Sequence, residues 1–325
     1  MIEIRRIVER EEIYRGIDLW NKIYPSFLIN SFLVEQNIFT PFDGIIVSAW
    51  GVLEESNLLA FALTKYLTIP IVENGKKDVA WISLLVFDQE NIKSDSIKSR
   101  LLETIERYLA EQEIKKIYFG RDPQNFIPGL PDNLKKDYLP WLEKNGYHKE
   151  GIVYDLYQDI STFAISSEIR VLEQRLASQL AIKAVTEDTK RIFLSFMKTF
   201  FPGRWHYEAD NIARIPGAVQ DYWLLWLDNK PVGFARTNTS ESLYRGPNVN
   251  WGSQKGRLYC GLGPIGIADS YRGKGYGMYL MVKIIQNFQQ KGYRHMIIDW
   301  TDLLSYYARL NFKPWIKYYL LYKNL

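Results

Sequence analysis

The sequence is short of the residues that build metal and redox sites. In 325 residues it holds one cysteine, Cys260, and three histidines, His148, His206 and His295. One thiol excludes an intrachain disulfide framework and a Cys-rich zinc site. Three histidines far apart in the chain predict no His-built metal centre. A strong charge of one sign is also missing: 41 Lys and Arg face 37 Asp and Glu, a net of +4. That balance is too mild to argue for a nucleic-acid partner. No run approaches the roughly 18 uncharged apolar residues of a membrane span, and Met1–Gly16 alternates apolar and charged residues, unlike a signal peptide. The expectation is a soluble, cytoplasmic protein without a membrane partner. Aromatic residues, by contrast, are abundant. They make up 15% of the chain, with 10 Trp and 22 Tyr, which suits broad packed surfaces or a lined cleft.

At about 150 residues per domain the length predicts two domains, and the order of elements repeats. Residues 1–160 read as alternating strands and helices: a strand at Ile2–Ile7, a helix at Glu11–Tyr24, and a strand pair at Gly44–Glu54 and Leu58–Tyr66. A buried strand at Val79–Phe87 and an amphipathic helix at Asp95–Gln112 follow. Residues 161–180 are polar and helical in pattern and predict an inter-domain connector. Residues 181–325 then repeat the order, with a strand pair at Tyr222–Asp228 and Pro231–Thr237, a strand at Arg257–Ala268 and a helix from Tyr276 to Gly292. The domain ends correspond best. Leu139–Tyr147 and Ser305–Phe312 each give a short helix, a helix-ending residue and an aromatic, before a strand rich in Tyr.

The informative stretch is Ile265–Gly277, where a strand runs into a loop with three alternate glycines, Gly273, Gly275 and Gly277, and a helix starts at once. Such glycines let a ligand approach peptide N–H groups without a Cβ in the way. The first amides of a helix lack internal partners and carry the positive end of its dipole. Together they form a cradle for a pyrophosphate, with Arg272 and Lys274 adding charge beside it. A Walker loop needs Ser or Thr after Gly-Lys, but Lys274 is followed by Gly275. Gly261, Gly263 and Gly266 match the dinucleotide pattern literally, yet a strand rather than a helix continues from Gly266.

The remaining pattern, Arg272-x-x-Gly275-x-Gly277, resembles the acyl-coenzyme A pyrophosphate motif of the GNAT superfamily of N-acetyltransferases. Tyr307–Phe312 is similar to that family's closing Tyr-x-x-x-Gly-Phe helix, with Asn311 in place of the glycine, the next-best left-handed cap. The resemblance implies an α/β chain of two GNAT-like domains, each a mixed, mostly antiparallel sheet flanked by helices. The motifs lie in 181–325. Residues 1–160 follow in element order only: Val86–Asp95 replaces the glycine loop and carries Asp88, Glu90 and Asp95, which repel phosphate. The first domain is therefore expected to be a degenerate copy without a cofactor loop.

The resemblance further implies acetyl-CoA as co-substrate, no metal, and direct attack by a small-molecule or peptide amine in a ternary complex. Ile265, Gly266 and Ile267 would pair with the pantetheine, and Arg272, Gly273, Lys274, Gly275, Tyr276 and Gly277 would hold the pyrophosphate. Tyr307 stands at the family's general-acid position, with Tyr306 beside it. Asp299, at the end of the strand His295–Trp300, is the candidate base, and Asp302 reads as a helix N-cap. Phe201–Glu208 falls where the family places an acceptor-facing loop, offering Arg204, Trp205, His206 and Glu208. An amine of pKa about 10.4 is ~0.04% neutral at pH 7, so transfer needs a base as well as an acid. Two rival readings stay open: an aminoacyl-tRNA-dependent peptidyl transferase of paired GNAT-like fold, and a non-enzymatic acyl-CoA-binding module. Cys260, between Tyr259 and Gly261, is expected to be buried rather than nucleophilic.

Overall fold

The computed structural model describes residues 1–71, 75, 77–92 and 94–325. It divides into two compact units, Met1–Val153 with Ile316–Leu325, and Tyr154–Trp315. The chain runs β1 (Ile2–Ile7), α1 (Arg10–Ile23), α2 (Ser31–Val34), β2 (Ile45–Glu54), β3 (Asn57–Leu67), β4 (Val79–Phe87), α3 (Asp95–Glu111), β5 (Lys116–Phe119), β6 (Leu130–Pro131), α4 (Lys135–Lys144) and β7 (His148–Asp159). It continues α5 (Ser167–Ala177), β8 (Leu180–Ala184), α6 (Lys190–Phe200), α7 (Arg204–Ile212), β9 (Tyr222–Leu227), β10 (Lys230–Thr239), β11 (Tyr259–Ile267), α8 (Tyr276–Gln290), β12 (His295–Thr301), α9 (Leu304–Ala308) and β13 (Lys313–Asn324).

Both units use one topology. In the first, β1, β2, β3 and β4 pair antiparallel in turn, β4 pairs parallel with β5, and β5 pairs antiparallel with β13. In the second, β8, β9, β10 and β11 pair antiparallel, β11 pairs parallel with β12, and β12 pairs antiparallel with residues 154–159 of β7. The sixth strands are thus exchanged along the chain: residues 316–325 complete the first unit, and the second takes the end of β7. The repeated ending predicted from sequence is present. α4 stops at Gly146 (φ +86°) before Tyr147, and α9 stops at Asn311 (φ +64°) before Phe312, both in the left-handed region.

Two expected boundaries differ. Residues 161–180 do not form a free connector. Helix α5 buries Ile169 and Leu176 in the core of the second unit, along with Leu280, Met281 and Ile284 of α8. A few apolar residues at helical spacing were enough to dock a helix whose composition reads as polar. The second boundary moves because β13 pairs with β5 and β6, so the second unit ends at Trp315.

At the loop after β4, Asp88 fills the place of a bound anion. Its Oδ1 accepts from the amides of Glu90 and Asn91 at 3.1 and 3.3 Å; Lys93 lies outside the described residues. The middle of this unit is occupied by an ion pair. Lys65 on β3 and Asp122 after β5 are fully buried, 3.1 Å apart, with Gln124 accepting from the same ammonium at 3.1 Å and Ser83 donating to Asp122 at 2.8 Å. Removing one partner of such a pair leaves an uncompensated charge in the interior. Lys65→Met should lower the stability of the first unit by about 3–5 kcal/mol in urea unfolding. Lys115→Met, at an exposed residue 3.9 Å from Asp78, should change it by less than about 0.5 kcal/mol.

Candidate active site

The site opens where two strands part. Strand β11 pairs with β12 only at Tyr259–His295, Cys260–Met296 and Gly261–Ile297. Beyond this, Ile265, Gly266 and Ile267 stay paired to Ala235, Phe234 and Gly233 of β10, and their other edge is turned away from β12. Meanwhile β12 follows β7, with a register shift between Ile298 and Thr301. Trp300 takes up that shift at φ +47°, where a bulky residue is rarely found, and its N–H donates to the buried carboxylate of Asp155 at 3.0 Å.

A cleft of about 760 Å³ fills the gap, lined by Ile265–Ile267, Tyr271–Met278 and both Tyr306 and Tyr307. Every residue that the sequence assigns to coenzyme binding is in this lining. Helix α8 begins behind Gly275 (φ +85°) with no side-chain cap, and the amides of Gly273 to Met278 find no acceptor among the described residues. At Gly273 a Cβ would meet nothing within 4 Å, so the approach to these amides is open. A diphosphate fits such a cradle by the ordinary physics of a helix N-terminus.

Two details differ from the sequence reading of this loop. Arg272 does not add a free charge beside the cradle: its Nε donates to the Ile267 carbonyl at 3.0 Å and it pairs with Asp269 at 2.8 Å, which ties the loop to β11. Gly275 makes room for protein as well as ligand, because a Cβ there would stand 2.7 Å from Leu172 of α5.

Tyr307 on α9 is buried in the cleft wall, and burial, then the neighbouring Tyr306 and Asp299, raises its hydroxyl pKa well above the ordinary tyrosine range. Asp299 lies beside Gly263 of β11, is not among the residues that line the cleft, and has part of its surface open to solvent. Its pKa is pushed up to about 6, by burial first and then by the charge of Glu208; Arg236 and a hydrogen bond with Asn248 pull the other way. Asp302 does not cap α9: the hydroxyl of Thr301 accepts from the Leu303 amide at 3.1 Å instead. Cys260 is buried, its Sγ 3.5 Å from the His295 carbonyl, and burial raises its pKa.

The expected loop at 201–208 is in large part a helix. Gly203 (φ +102°) opens α7, and Tyr207, Asn211 and Ile212 turn one face inward at helical spacing. This distributes the four acceptor candidates. Trp205 reaches the cleft, packed on Phe201 and Phe234. Arg204 lies over the Trp300 ring at 4.5 Å. His206 is half-buried, with its pKa lowered by burial. Glu208 is buried and accepts from Arg236, whose other nitrogen donates to the Tyr244 carbonyl at 2.6 Å, so it is a buried counter-ion rather than a free ligand. Sequence reading missed Arg236, Asn248 and the cleft-facing residues of α5. Arg236 sits in an apolar strand, and a charge at such a position is the one signal that pointed to it.

Residues 184–312 match the acetyltransferase (GNAT) family. No curated protein matches the chain by sequence. Among solved structures, a glucosamine N-acetyltransferase region of a fungal multi-domain GH3 beta-N-acetylglucosaminidase superimposes with a TM-score of 0.87 at 18% identity. That alignment covers 99% of this chain and 38% of the fungal one, so this chain spans well under half of that protein. A tandem GNAT protein from the clavulanic acid biosynthesis pathway aligns over 100% of this chain and 98% of its own, with a TM-score of 0.65 at 8% identity. A GCN5-related N-acetyltransferase from Sphaerobacter thermophilus aligns over 99% and 95%, with a TM-score of 0.64 at 12% identity. At these identities the likeness is one of fold. Residues 184–312 thus match the acetyltransferase (GNAT) family, within a chain whose fold is that of tandem GNAT proteins.

Proposed function

We propose that the chain is an N-acyltransferase that moves an acetyl group from acetyl-CoA to a primary amine, with one active site, in the second unit. The observation that carries this reading is the open edge of β11 leading to the unsatisfied amides of Gly273 to Met278. The amides suit the pyrophosphate, and Ile265–Ile267 suit the amide-bearing arm. The thioester, when bound, supplies the activated acyl group. Asp299, ionised above about pH 6, accepts the proton of the ammonium. The freed amine attacks the thioester carbon. As the C–S bond breaks, Tyr307, whose raised pKa keeps it protonated, donates to the departing sulfur, and the proton then lost by the acylated nitrogen restores it. The cradle argues against the aminoacyl-tRNA reading, which has no use for a diphosphate site.

An amino sugar is the acceptor class we favour. The fold follows a glucosamine N-acetyltransferase region over 99% of this chain. The cleft lining offers Trp205 for ring stacking, and Asp299 is near enough to Tyr307 to act on its hydroxyl. Release of free thiol from acetyl-CoA, screened over glucosamine, polyamines, aminoglycosides and peptide N-termini, tests this directly. Glucosamine should give the fastest release. Thiol release with polyamines alone would replace the acceptor class, and none with any amine alongside tight coenzyme A binding would favour the binding module.

Two further outcomes are expected. Tyr307→Phe should lower kcat about 100-fold or more while coenzyme A affinity by calorimetry stays within about twofold; unchanged turnover would remove Tyr307 from the mechanism. The kcat/KM profile should fall below about pH 6 as Asp299 gains its proton. Because a like charge raises a carboxyl pKa, Glu208→Gln should move that inflection to lower pH. An inflection unmoved in Glu208→Gln and retained in Asp299→Asn would assign it to another group.

A further inference from the structure

Helix α5 forms one wall of the coenzyme cleft and is fastened at several points. Ile169 and Leu176 are buried in the core. Glu173 pairs with Lys283 of α8 at 2.8 Å, and Glu168 pairs with Arg309, just after α9, at 3.3 Å. Between these anchors Leu172 rests against Gly275 of the cradle. Glu168, Leu172 and Arg175 are four and three residues apart, so they share one face of the helix, and all three line the cleft. Arg175 is therefore held one turn beyond the residue that touches the glycine loop.

The charges on this rim are uneven. Arg272 is neutralised by Asp269, and Arg309 by Glu168. Arg175 and Lys274 have no carboxylate partner among the described residues; Lys274 lies 5.2 Å over the ring of Tyr271. Two unpaired cations beside a cradle whose amides already suit a diphosphate call for a second anion on the same ligand. Coenzyme A carries one, the 3′-phosphate of its ribose, a monoester with a charge of about −1.5 to −2 at pH 7. An arginine fork matches phosphate geometry in two hydrogen bonds.

We propose that Arg175 of α5, with Lys274, binds the 3′-phosphate and makes this site select coenzyme A over 3′-dephospho-coenzyme A. The inference rests on the coenzyme-binding reading above and gives α5 a role in ligand selection. Calorimetric titration of the full chain with each of the two coenzymes tests it. Wild type should bind coenzyme A at least tenfold more tightly than the dephospho form. Arg175→Ala should narrow that ratio to threefold or less by weakening coenzyme A alone, Lys274→Ala should narrow it too, and Arg170→Ala, on another face of α5, should leave it unchanged. Equal wild-type affinity for the two coenzymes, or a ratio that survives Arg175→Ala, overturns this inference while the coenzyme reading stands. Binding of neither coenzyme overturns both. Arg175 is exposed, so unchanged thermal unfolding of the variants is expected to accompany the lost selectivity.

Discussion

The early end of pairing between β11 and β12 is the constraint on which the second unit's chemistry depends. After Gly261 and Ile297 the two parallel strands no longer share a ladder, so β11 keeps a row of peptide groups with β10 on one side and open space on the other. A sheet normally closes such an edge, since unpaired backbone groups are costly in the interior. Here the gap is held by side chains. Asn248 fills the space over Gly261 and donates to the Gly263 carbonyl at 3.1 Å, while Asp155 holds the strained Trp300 that turns β12 aside. The α8 terminus is set at the far end of the same open edge, so strand and helix present their unsatisfied donors to one cleft.

Behind the opening lies a chain of charges. Arg236 and Glu208 are buried as a pair, and the Glu208 charge is one reason that Asp299 holds its proton to about pH 6. A carboxyl tuned in this way is near the range where a base both ionises at neutral pH and retains proton affinity. The first unit uses the same topology for a different purpose. Its buried Lys65–Asp122 pair and the self-capped Asp88 turn satisfy internally the kinds of group that the second unit leaves open.

Local patterns made much of this legible. Apolar runs and alternate residues placed the strands because side-chain burial repeats with the strand period, and three alternate glycines before an apolar helix marked the cradle. What stayed hidden depends on distant positions. Glu208 and Arg236 are far apart in sequence, and nothing near either one announces the pairing that makes Glu208 a buried counter-ion. Pro202-Gly203 reads as a turn, whereas Gly203 in fact opens α7. Helix α5 looks solvated because its polar and charged residues together outnumber its apolar ones, yet Glu168 pairs with Arg309, just after α9, and Glu173 with Lys283 of α8. Tertiary partners, which no short window contains, decided each of these cases.

The exchanged sixth strands bear on how the protein is made. A nascent chain that has emerged as far as β7 already contains β1 to β5, but β5 has no neighbour on its outer side until residues 316–325 leave the ribosome. Synthesis at roughly 5–20 residues per second leaves that edge bare for many seconds, and a bare edge is a template for wrong pairing. Dissection between the repeats meets the same difficulty. A fragment ending at residue 160 carries a strand meant for the other half and lacks its own, so a faithful isolated first half requires residues 316–325 to be grafted onto it.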